Sequence, residues 1–531
     1  MDRRTFVKYG GTAATAVALA GCGGGGNGDG EPADTEPEET DGTDAGEEAQ
    51  EFPVRIAQGN MPSGLDPHDH RETPTDIVML HAYEGVLTRD PEGNVQESIA
   101  TGFERVEEGH VRFTIREDVQ FHDGDDLTPE DVAYSINRIV REDVGFASPQ
   151  RDQLAGVTEA SAADDERAVD VFSDGLNPVV FSEFATYCDV MQRSWTEERS
   201  KDEVGRQMNG TGPFALDSYT EGERVVLTRN DDYWDEPAAV SEVTFTAASE
   251  SSTRVNQLLN EEADIVVNVP PQEVSRVRES DVARVAATPS TRVLYNAMRY
   301  DVEPFDSPAF RRAMNYAVDL ESITENVLDG FGAGTGQPTL EGFVGHNSDV
   351  GPYSYDPERA EQLVEESGYS GAEIELNTPV GRYLKDLEIA QAVVGYIDEL
   401  ENVSASVNQR DFGSLTDELL TGNIEDKPPW YLIGWGEATF DGGLVITALL
   451  TTDGALSSYS DEEIDEMMET AGNQEEAERE STLREVNRLL HERAPWIFLN
   501  RQFSVYGASE RIDWSARNDE RIDAYEISPP S

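Results

Sequence analysis

Residues 111–135 read VRFTIREDVQFHDGDDLTPEDVAYS and predict a strand, a tight turn and a helix in direct succession. Apolar and polar residues alternate from Val111 to Arg116, as they do in a half-buried strand. The helix is expected to begin at Pro129, because Thr128 is a typical N-cap residue and proline suits the first helical position. Two acids follow in the first turn, where the helix dipole favours negative charge.

Both kinds of periodicity recur along the rest of the chain. Helical apolar spacing is found at 358–367, 387–400 and 481–492, and short β-branched runs at 225–227, 243–245 and 264–267. About 480 residues follow position 51, which is too long for one core and enough for two or three lobes. These patterns predict a mixed α/β chain with connected lobes.

Several further motifs follow one another in order. They are Phe121-His122-Asp123-Gly124 with the Thr128–Ser135 helix start, Gly210-Thr211-Gly212-Pro213-Phe214, Asn230 with Tyr233-Trp234, Pro304–Asp319, and Tyr355–Tyr369. Their content and order resemble family 5 of the solute-binding proteins of ABC transporters, the dipeptide, oligopeptide and nickel binders. The resemblance covers about residues 54–508.

This resemblance implies an α/β fold of the periplasmic-binding-protein type, a two-lobed clamp (type II) with an additional small α/β subdomain. Lobe I would comprise residues 54–92, 210–295 and 498–531. The accessory subdomain would take 93–209, and lobe II 296–497. The lobes are expected to close over a ligand like a hinged clamp.

The resemblance also implies where the ligand lies. In peptide-binding relatives, the tryptophan that matches Trp435 is usually followed three residues later by an aspartate that pairs with the amino terminus of the peptide. Ala438 occupies that position here, with Glu437 before it and Asp441 beyond it. Either carboxylate could replace the missing one, because a buried cation needs a paired anion.

Three more residues complete the predicted site. Phe440 is expected to form an aromatic wall with Trp435, and Arg382 could clamp a carboxylate with its planar guanidinium. Tyr83 is the third candidate. The alternatives are core packing for Trp435, a structural ion pair for Arg382 and ordinary solvated positions for the two acids.

The first 22 residues predict an export signal, with a charged start, a short apolar run and a small-residue exit. Arg3 and Arg4 resemble the twin-arginine signal, and Leu19-Ala20-Gly21-Cys22 resembles a lipoprotein box, which makes Cys22 the predicted lipid carrier. Residues 23–51 are rich in Gly, Pro and acids and predict a disordered tether. The alternative is an ordinary cleaved leader. We expect the extracellular face of the cell membrane as the location.

Acidic residues dominate the whole chain, with 107 acids, 40 bases and a net charge of -67. Without leader and tether, 95 acids and 37 bases remain, a net charge near -58. At molar salt the screening length falls to about 3 Å, so the charge indicates adaptation to high salt in a halophilic archaeon. A nucleic-acid partner is excluded.

No catalytic or metal-binding framework is visible in the sequence. The Gly-x-Ser-x-Gly and His-Glu-x-x-His patterns of hydrolases are absent, and His68, His70 and His81 form only a weak metal pattern. We therefore expect no enzyme activity, cofactor or metal. The expected function is a monomeric, membrane-tethered receptor that delivers a peptide or peptide-like solute to an ABC permease. A sugar or metal-chelate receptor, a secreted hydrolase and a structural surface protein are the alternatives.

Overall fold

The computed structural model describes residues 51–530, apart from residues 92, 155, 164–166, 422 and 455. The predicted export signal, Cys22 and all but the last residue of the predicted tether lie outside the described residues. Among the helices that are described, none is long and apolar enough to cross a membrane.

The strands are numbered in chain order. They are β1 Pro53–Gln58, β2 Leu87–Arg89, β3 Val95–Glu97, β4 Ala100–Glu107, β5 His110–Ile115, β6 Val157–Ala162, β7 Ala168–Ser173, β8 Phe214–Thr220, β9 Arg224–Arg229, β10 Glu242–Ala247, β11 Ile265–Val266, β12 Ala283–Met298, β13 Gly332–Gly334, β14 Ala372–Pro379, β15 Val403–Arg410, β16 Trp430–Gly436 and β17 Trp496–Ser509.

The α-helices follow the same numbering. They are α1 Thr73–Met79, α2 Pro129–Val140, α3 Val180–Phe184, α4 Arg193–Glu197, α5 Lys201–Val204, α6 Ser251–Leu259, α7 Pro271–Arg278, α8 Pro308–Tyr316, α9 Leu320–Ser322, α10 Pro357–Ser367, α11 Asp386–Asp398, α12 Phe412–Leu419, α13 Gly442–Leu450, α14 Glu462–Gly472 and α15 Glu476–Arg493. Short 3₁₀ turns occur at Glu142–Val144, Arg151–Leu154, Ile424–Asp426 and Ala524–Glu526, and a π turn at Ile323–Val327.

The local prediction for residues 111–135 is confirmed. The predicted strand is β5, and α2 begins at Pro129. The Thr128 side chain accepts a hydrogen bond from the Asp131 N–H at 3.3 Å, and the Asp131 carboxylate accepts one from the Thr128 N–H at 3.0 Å. This reciprocal pair is a capping box, which satisfies two backbone donors at the helix start.

One large mixed sheet runs through the described residues in the order β15-β14-β16-β12-β17-β11-β1-β10-β9-β8, with β13 beside β17. Its centre is the antiparallel pair β12 and β17, which are 16 and 14 residues long. Register shifts between Pro289 and Val293 and between Leu294 and Tyr295 interrupt their pairing. The two long strands therefore belong to both halves of the sheet and connect them.

A second sheet of four strands, β4-β5-β7-β6, packs against α2 around its own apolar core. Separate cores lie under the β1-β10-β9 half and the β14-β16-β12 half of the large sheet. The predicted lobe boundaries at residues 93, 210, 296 and 498 stay a prediction.

A buried junction built on Glu84 explains two of the sequence motifs. The Glu84 carboxylate accepts hydrogen bonds from Thr211 Oγ1 at 2.7 Å, Tyr233 Oη at 2.8 Å and Trp234 Nε1 at 3.0 Å. Burial raises the pKa of Glu84 to about 7, against the lowering effect of these donors. The Gly-Thr-Gly motif has a steric reason, because a Cβ on Gly210 would lie 1.9 Å from the Ala82 carbonyl oxygen.

Candidate ligand-binding cleft

The predicted ligand segment is the end of strand β16 and the loop that follows it. Trp435 pairs with Val293 of β12, and the neighbouring Gly436 pairs with Arg292. Trp435 is half-buried, so part of its ring surface is accessible. Beyond it, the chain turns through residues 437–441 and begins α13 at Gly442.

Glu437 is the buried carboxylate of this loop, with 6 % of its surface exposed. It accepts hydrogen bonds from the Thr439 N–H at 3.1 Å, the Thr439 hydroxyl at 2.7 Å and Trp435 Nε1 at 3.5 Å. Burial raises its pKa, although these hydrogen bonds oppose the shift. Among the described residues no cationic side chain forms an ion pair with Glu437; burial lowers the pKa of the nearby Arg89, and the charge of Glu437 opposes that shift.

Asp441 is held differently. Its carboxylate forms a two-point pair with Arg479, at 2.6 and 2.7 Å, and both side chains are buried. It also accepts a hydrogen bond from the Gly443 N–H at 2.8 Å, which caps the start of α13. The structure therefore distinguishes the two acids that the sequence left as alternatives. Asp441 forms an ion pair with Arg479, and Glu437 forms no ion pair with any described residue.

Phe440 and Tyr83 are both buried, at 8 % and 1 % exposure. The positive φ of 59° at Phe440 places its ring 5.1 Å from that of Phe343 and 5.2 Å beneath the Arg89 guanidinium. Tyr83 lies in the core beneath β1, and its hydroxyl accepts a hydrogen bond from the Asn209 N–H at 3.3 Å. In this conformation neither ring presents a free surface to a ligand, and their predicted contact with the solute stays a prediction.

Arg382 is exposed in the loop between β14 and α11. Its guanidinium lies 5.1 Å from the ring centres of Tyr383 and Phe412, and no described carboxylate forms an ion pair with it. Surrounding protein, and then the nearby Arg292, lower its pKa. Arg292 forms an ion pair with Glu520 at 3.8 Å, so Arg382 is the one of these two arginines that has no described carboxylate partner.

Sequence reasoning missed a group of residues near this loop. Asp76 on α1 keeps 62 % of its side-chain surface accessible, yet surrounding protein and then Asp189 raise its pKa to about 7. Burial raises the pKa of Asp189 to about 6. Burial, followed by Glu437 and Asp76, raises the pKa of the Tyr187 phenol. No sequence pattern distinguishes Asp76 and Asp189 from the other 105 acids.

Arg89 connects the 437–441 loop to the β2 region. Its guanidinium donates to the carbonyl oxygens of Gly93 at 2.7 Å, Ser182 at 2.9 Å and Thr439 at 3.0 Å. The Thr186 hydroxyl donates to the Ala438 carbonyl oxygen at 3.3 Å. The loop that follows Trp435 therefore packs directly against a segment that lies 250 or more residues earlier in the chain.

Two of the three histidines of the weak metal pattern have internal hydrogen-bond partners. His68 Nε2 lies 2.7 Å from the Asp189 carbonyl oxygen, and His81 Nδ1 lies 2.9 Å from that of Ile77. Within the described part of the chain, no group of three or more His, Cys, Asp or Glu side chains is arranged to hold a metal ion.

The family model described as "Bacterial extracellular solute-binding proteins, family 5 Middle" matches residues 94–456 of this chain. The chain belongs to family 5 of the extracellular solute-binding proteins. The glutathione-binding protein GsiB of Shigella dysenteriae serotype 1 is 22 % identical over 469 residues, which cover 84 % of this chain and 88 % of GsiB.

Solved structures resemble the fold of this family 5 chain. The periplasmic binding protein DppA of Helicobacter pylori, in complex with the peptide STSA, has a TM-score of 0.75 and 18 % identity over 90 % of this chain and 98 % of DppA. NikA of Staphylococcus aureus, in complex with Ni(L-His)2, has a TM-score of 0.73 and 16 % identity over 90 % of this chain and all of NikA.

These findings confirm the predicted family and the predicted α/β, two-lobed binding-protein fold. Family 5 members bind solutes without transforming them, so this chain is a binding protein and not an enzyme. No comparison tests the predicted site residues, whose roles remain to be argued from their contacts.

The Asp441–Arg479 pair predicts a stability effect. We expect Asp441→Asn to lower the free energy of unfolding by about 3–5 kcal/mol, because Arg479 is left buried without a counter-charge. Asparagine can still cap α13, so the change isolates the ion pair. Denaturant unfolding checks this, with Asp143→Asn in the exposed pair with Arg141 as the control, where about 0–1 kcal/mol is expected.

Combining Asp441→Asn with Arg479→Met should recover part of the loss, since no unpaired charge then remains. A loss for Asp441→Asn as small as that for Asp143→Asn would show that the pair does not stabilise the fold.

Proposed function

We propose that this family 5 protein captures a peptide or peptide-like solute beside Trp435 and delivers it to an ABC permease. The observation that carries the proposal is Glu437, a buried carboxylate that forms no ion pair with any described residue and lies two positions after the half-buried Trp435 of β16. Solute binding would favour the closed form of the clamp, which the permease recognises. The predicted division into lobe I, accessory subdomain and lobe II is part of this proposal, as is action as a monomer.

The amino terminus of a peptide suits the environment of Glu437. Its two oxygens accept three hydrogen bonds within the loop, and none of the donors carries a positive charge. Burial of a carboxylate without a counter-charge raises the free energy of its ionised form. The ammonium group of a peptide supplies the positive counter-charge. Its binding therefore favours the ionised form of the Glu437 carboxylate.

Arg382 is the candidate partner for the carboxylate at the other end of the peptide. Its guanidinium is free of described ion pairs, and Arg292 lies close enough to lower its pKa. The accessible part of Trp435 supplies apolar surface between the two charged positions. A pocket with an apolar wall and a few polar anchors is typical of small-molecule sites. Peptide capture is also supported by DppA, whose solved structure contains a peptide.

A peptide series tests the role of Glu437. Calorimetry should show that Glu437→Gln binds unmodified alanine tripeptide about thirtyfold or more weakly than the unaltered protein, because a buried charge pair typically contributes about 2–5 kcal/mol. The N-acetylated tripeptide should bind weakly to both proteins. Glu425→Gln is the matched control, since Glu425 is an exposed acid in the 3₁₀ turn before β16.

Equal affinity of the free tripeptide for the unaltered protein and Glu437→Gln would contradict the role of Glu437. A solute that binds strongly, is uncharged and depends on Trp435 but on neither Glu437 nor Arg382 would indicate a sugar receptor instead.

We propose that a lipid on Cys22 tethers the protein to the outer face of the cell membrane after twin-arginine export. The support is the order of Arg3-Arg4, the apolar run and Leu19-Ala20-Gly21-Cys22, followed by the acidic segment 23–51. We expect Cys22→Ser to release the protein into the medium, measured by immunoblotting of cell and medium fractions. A Cys188→Ser control should stay with the cells. If Cys22→Ser remains membrane-bound, the anchor is elsewhere.

We propose that the protein comes from a halophilic archaeon and needs high salt to remain folded. A net charge near -58 beyond the tether repels itself at low ionic strength, and molar salt screens it. We expect the near-ultraviolet circular dichroism to be lost on dialysis into dilute buffer and retained in molar KCl. Sucrose at equal osmolarity should not replace the salt. A full signal in dilute buffer would contradict the proposal.

A further inference from the structure

A second set of acids without partners lies in the same region as Glu437. Asp76 projects from α1, and Asp189 follows Tyr187 in the segment before α4. Neither carboxylate accepts a hydrogen bond from any described residue. Arg521 lowers the pKa of both, but it forms an ion pair with neither. Asp76 is exposed and Asp189 half-buried, and neither has an arginine partner of the kind that Asp441 has in Arg479 and Asp66 has in Arg138.

A neighbouring histidine independently indicates a missing ligand. His70 is 4 % exposed, and neither of its ring nitrogens has a hydrogen-bond partner within the described residues. Its Nδ1 lies 3.7 Å from Asp76 Oδ1. Buried polar atoms are nearly always hydrogen-bonded, so an unpartnered imidazole beside an unpaired carboxylate requires an explanation. Burial lowers the pKa of His70, so the neutral ring cannot neutralise Asp76.

The chemistry of these groups selects one kind of ligand. Two carboxylates and a neutral imidazole nitrogen all accept hydrogen bonds, and an ammonium or guanidinium group carries only donors. Such a group would neutralise the carboxylates and satisfy the His70 nitrogen. Solvent reaches the position, because 62 % of the Asp76 side chain is accessible.

The position is also close to the first site. The Thr186 hydroxyl donates to the carbonyl oxygen of Ala438, next to Glu437, at 3.3 Å, and three residues further on the Asp189 carbonyl oxygen lies 2.7 Å from His68 Nε2, on the loop that carries His70. Tyr187 is half-buried and carries apolar ring surface. A single solute of peptide size can therefore meet Glu437 with one group and Asp76 with another.

We propose that Asp76, Asp189 and the unpartnered ring of His70 form a second cation subsite of the cleft, so that the preferred solute carries a basic side chain in addition to its amino terminus. The inference depends on the proposed function for the placement of that amino terminus at Glu437. The solute class is then a short peptide with lysine or arginine, or an analogue with two cationic groups.

Calorimetry with tripeptides that differ in one side chain tests the subsite. The probes are alanine tripeptides with lysine at the second or third position, and the same peptides with norleucine, which has the apolar chain of lysine but no charge. We expect at least one lysine peptide to bind about tenfold or more tightly than its norleucine counterpart. Asp76→Asn and Asp189→Asn should each remove this preference and leave norleucine-peptide binding unchanged.

Asp69→Asn is the matched control, because Asp69 lies on the loop beside His70 but is paired with Lys201 at 2.7 Å. It should keep the preference for lysine. Equal affinity of the unaltered protein for lysine and norleucine peptides would overturn the subsite. This comparison needs no variant, so it remains decisive even if Asp76→Asn fails to fold.

A diamine separates this inference from the proposed function. If no tripeptide binds but 1,5-diaminopentane binds in a manner that requires Asp76, the peptide proposal fails and the cation subsite stands. If tripeptides bind without regard to their side-chain charge, the subsite fails and the peptide proposal stands. If neither tripeptides nor the diamine bind, both are wrong.

Discussion

The half-buried carboxylate of Glu84, which accepts hydrogen bonds from three side chains, is the constraint on which the arrangement of the neighbouring segments depends. The donors come from two distant segments, the turn at Thr211 and the pair Tyr233-Trp234, so one acid fixes three parts of the chain against each other. The Glu84 carbonyl oxygen also accepts a hydrogen bond from the Val190 N–H at 2.8 Å. Because Asp189 is the residue before Val190 and α1 ends shortly before Glu84, this junction helps to position Asp76 and Asp189.

The contrast between paired and unpaired acids separates structure from function in this protein. With 107 acids and 40 bases, a sequence offers far more carboxylates than any fold can pair. Most unpaired acids are at the surface, where water solvates them at little cost. Asp441 is buried and pairs with Arg479, whereas Glu437 is buried and forms no ion pair in the part of the chain that the structure describes. Removing a carboxylate from water without a counter-charge is unfavourable, and groups with such perturbed pKa values cluster at binding sites. Burial without an ion pair is therefore a better reason to propose Glu437 as a ligand contact than its sequence spacing from Trp435.

Sequence reasoning succeeded where the signal is local. The cap at Thr128, the strand before it and the order of the family motifs depend on neighbouring residues, and the structure confirms the helix start and the fold class. It could not choose between Glu437 and Asp441, because the choice depends on Arg479, 38 residues away. It could not find Asp76 or Asp189 either, since only the folded chain brings α1 and the segment after Tyr187 to the same cleft. The positive φ that turns Phe440 onto Phe343 leaves no trace in hydrophobic periodicity.

Thr439 joins the candidate ligand acid to the opposite side of the cleft. Its N–H and hydroxyl both donate to Glu437, and its carbonyl oxygen accepts a hydrogen bond from Arg89. The N–H and the C=O of one residue are separated by only two soft dihedral angles. A shift of the Glu437 carboxylate is therefore transmitted to the Arg89 contact over a single residue. Arg89 is 5 % exposed and also donates hydrogen bonds to Gly93, Ser182 and Thr186. These contacts restrict how far its guanidinium can move with the 437–441 loop. Glu437 and Arg89 are thus joined through one residue, Thr439, in the loop between β16 and α13.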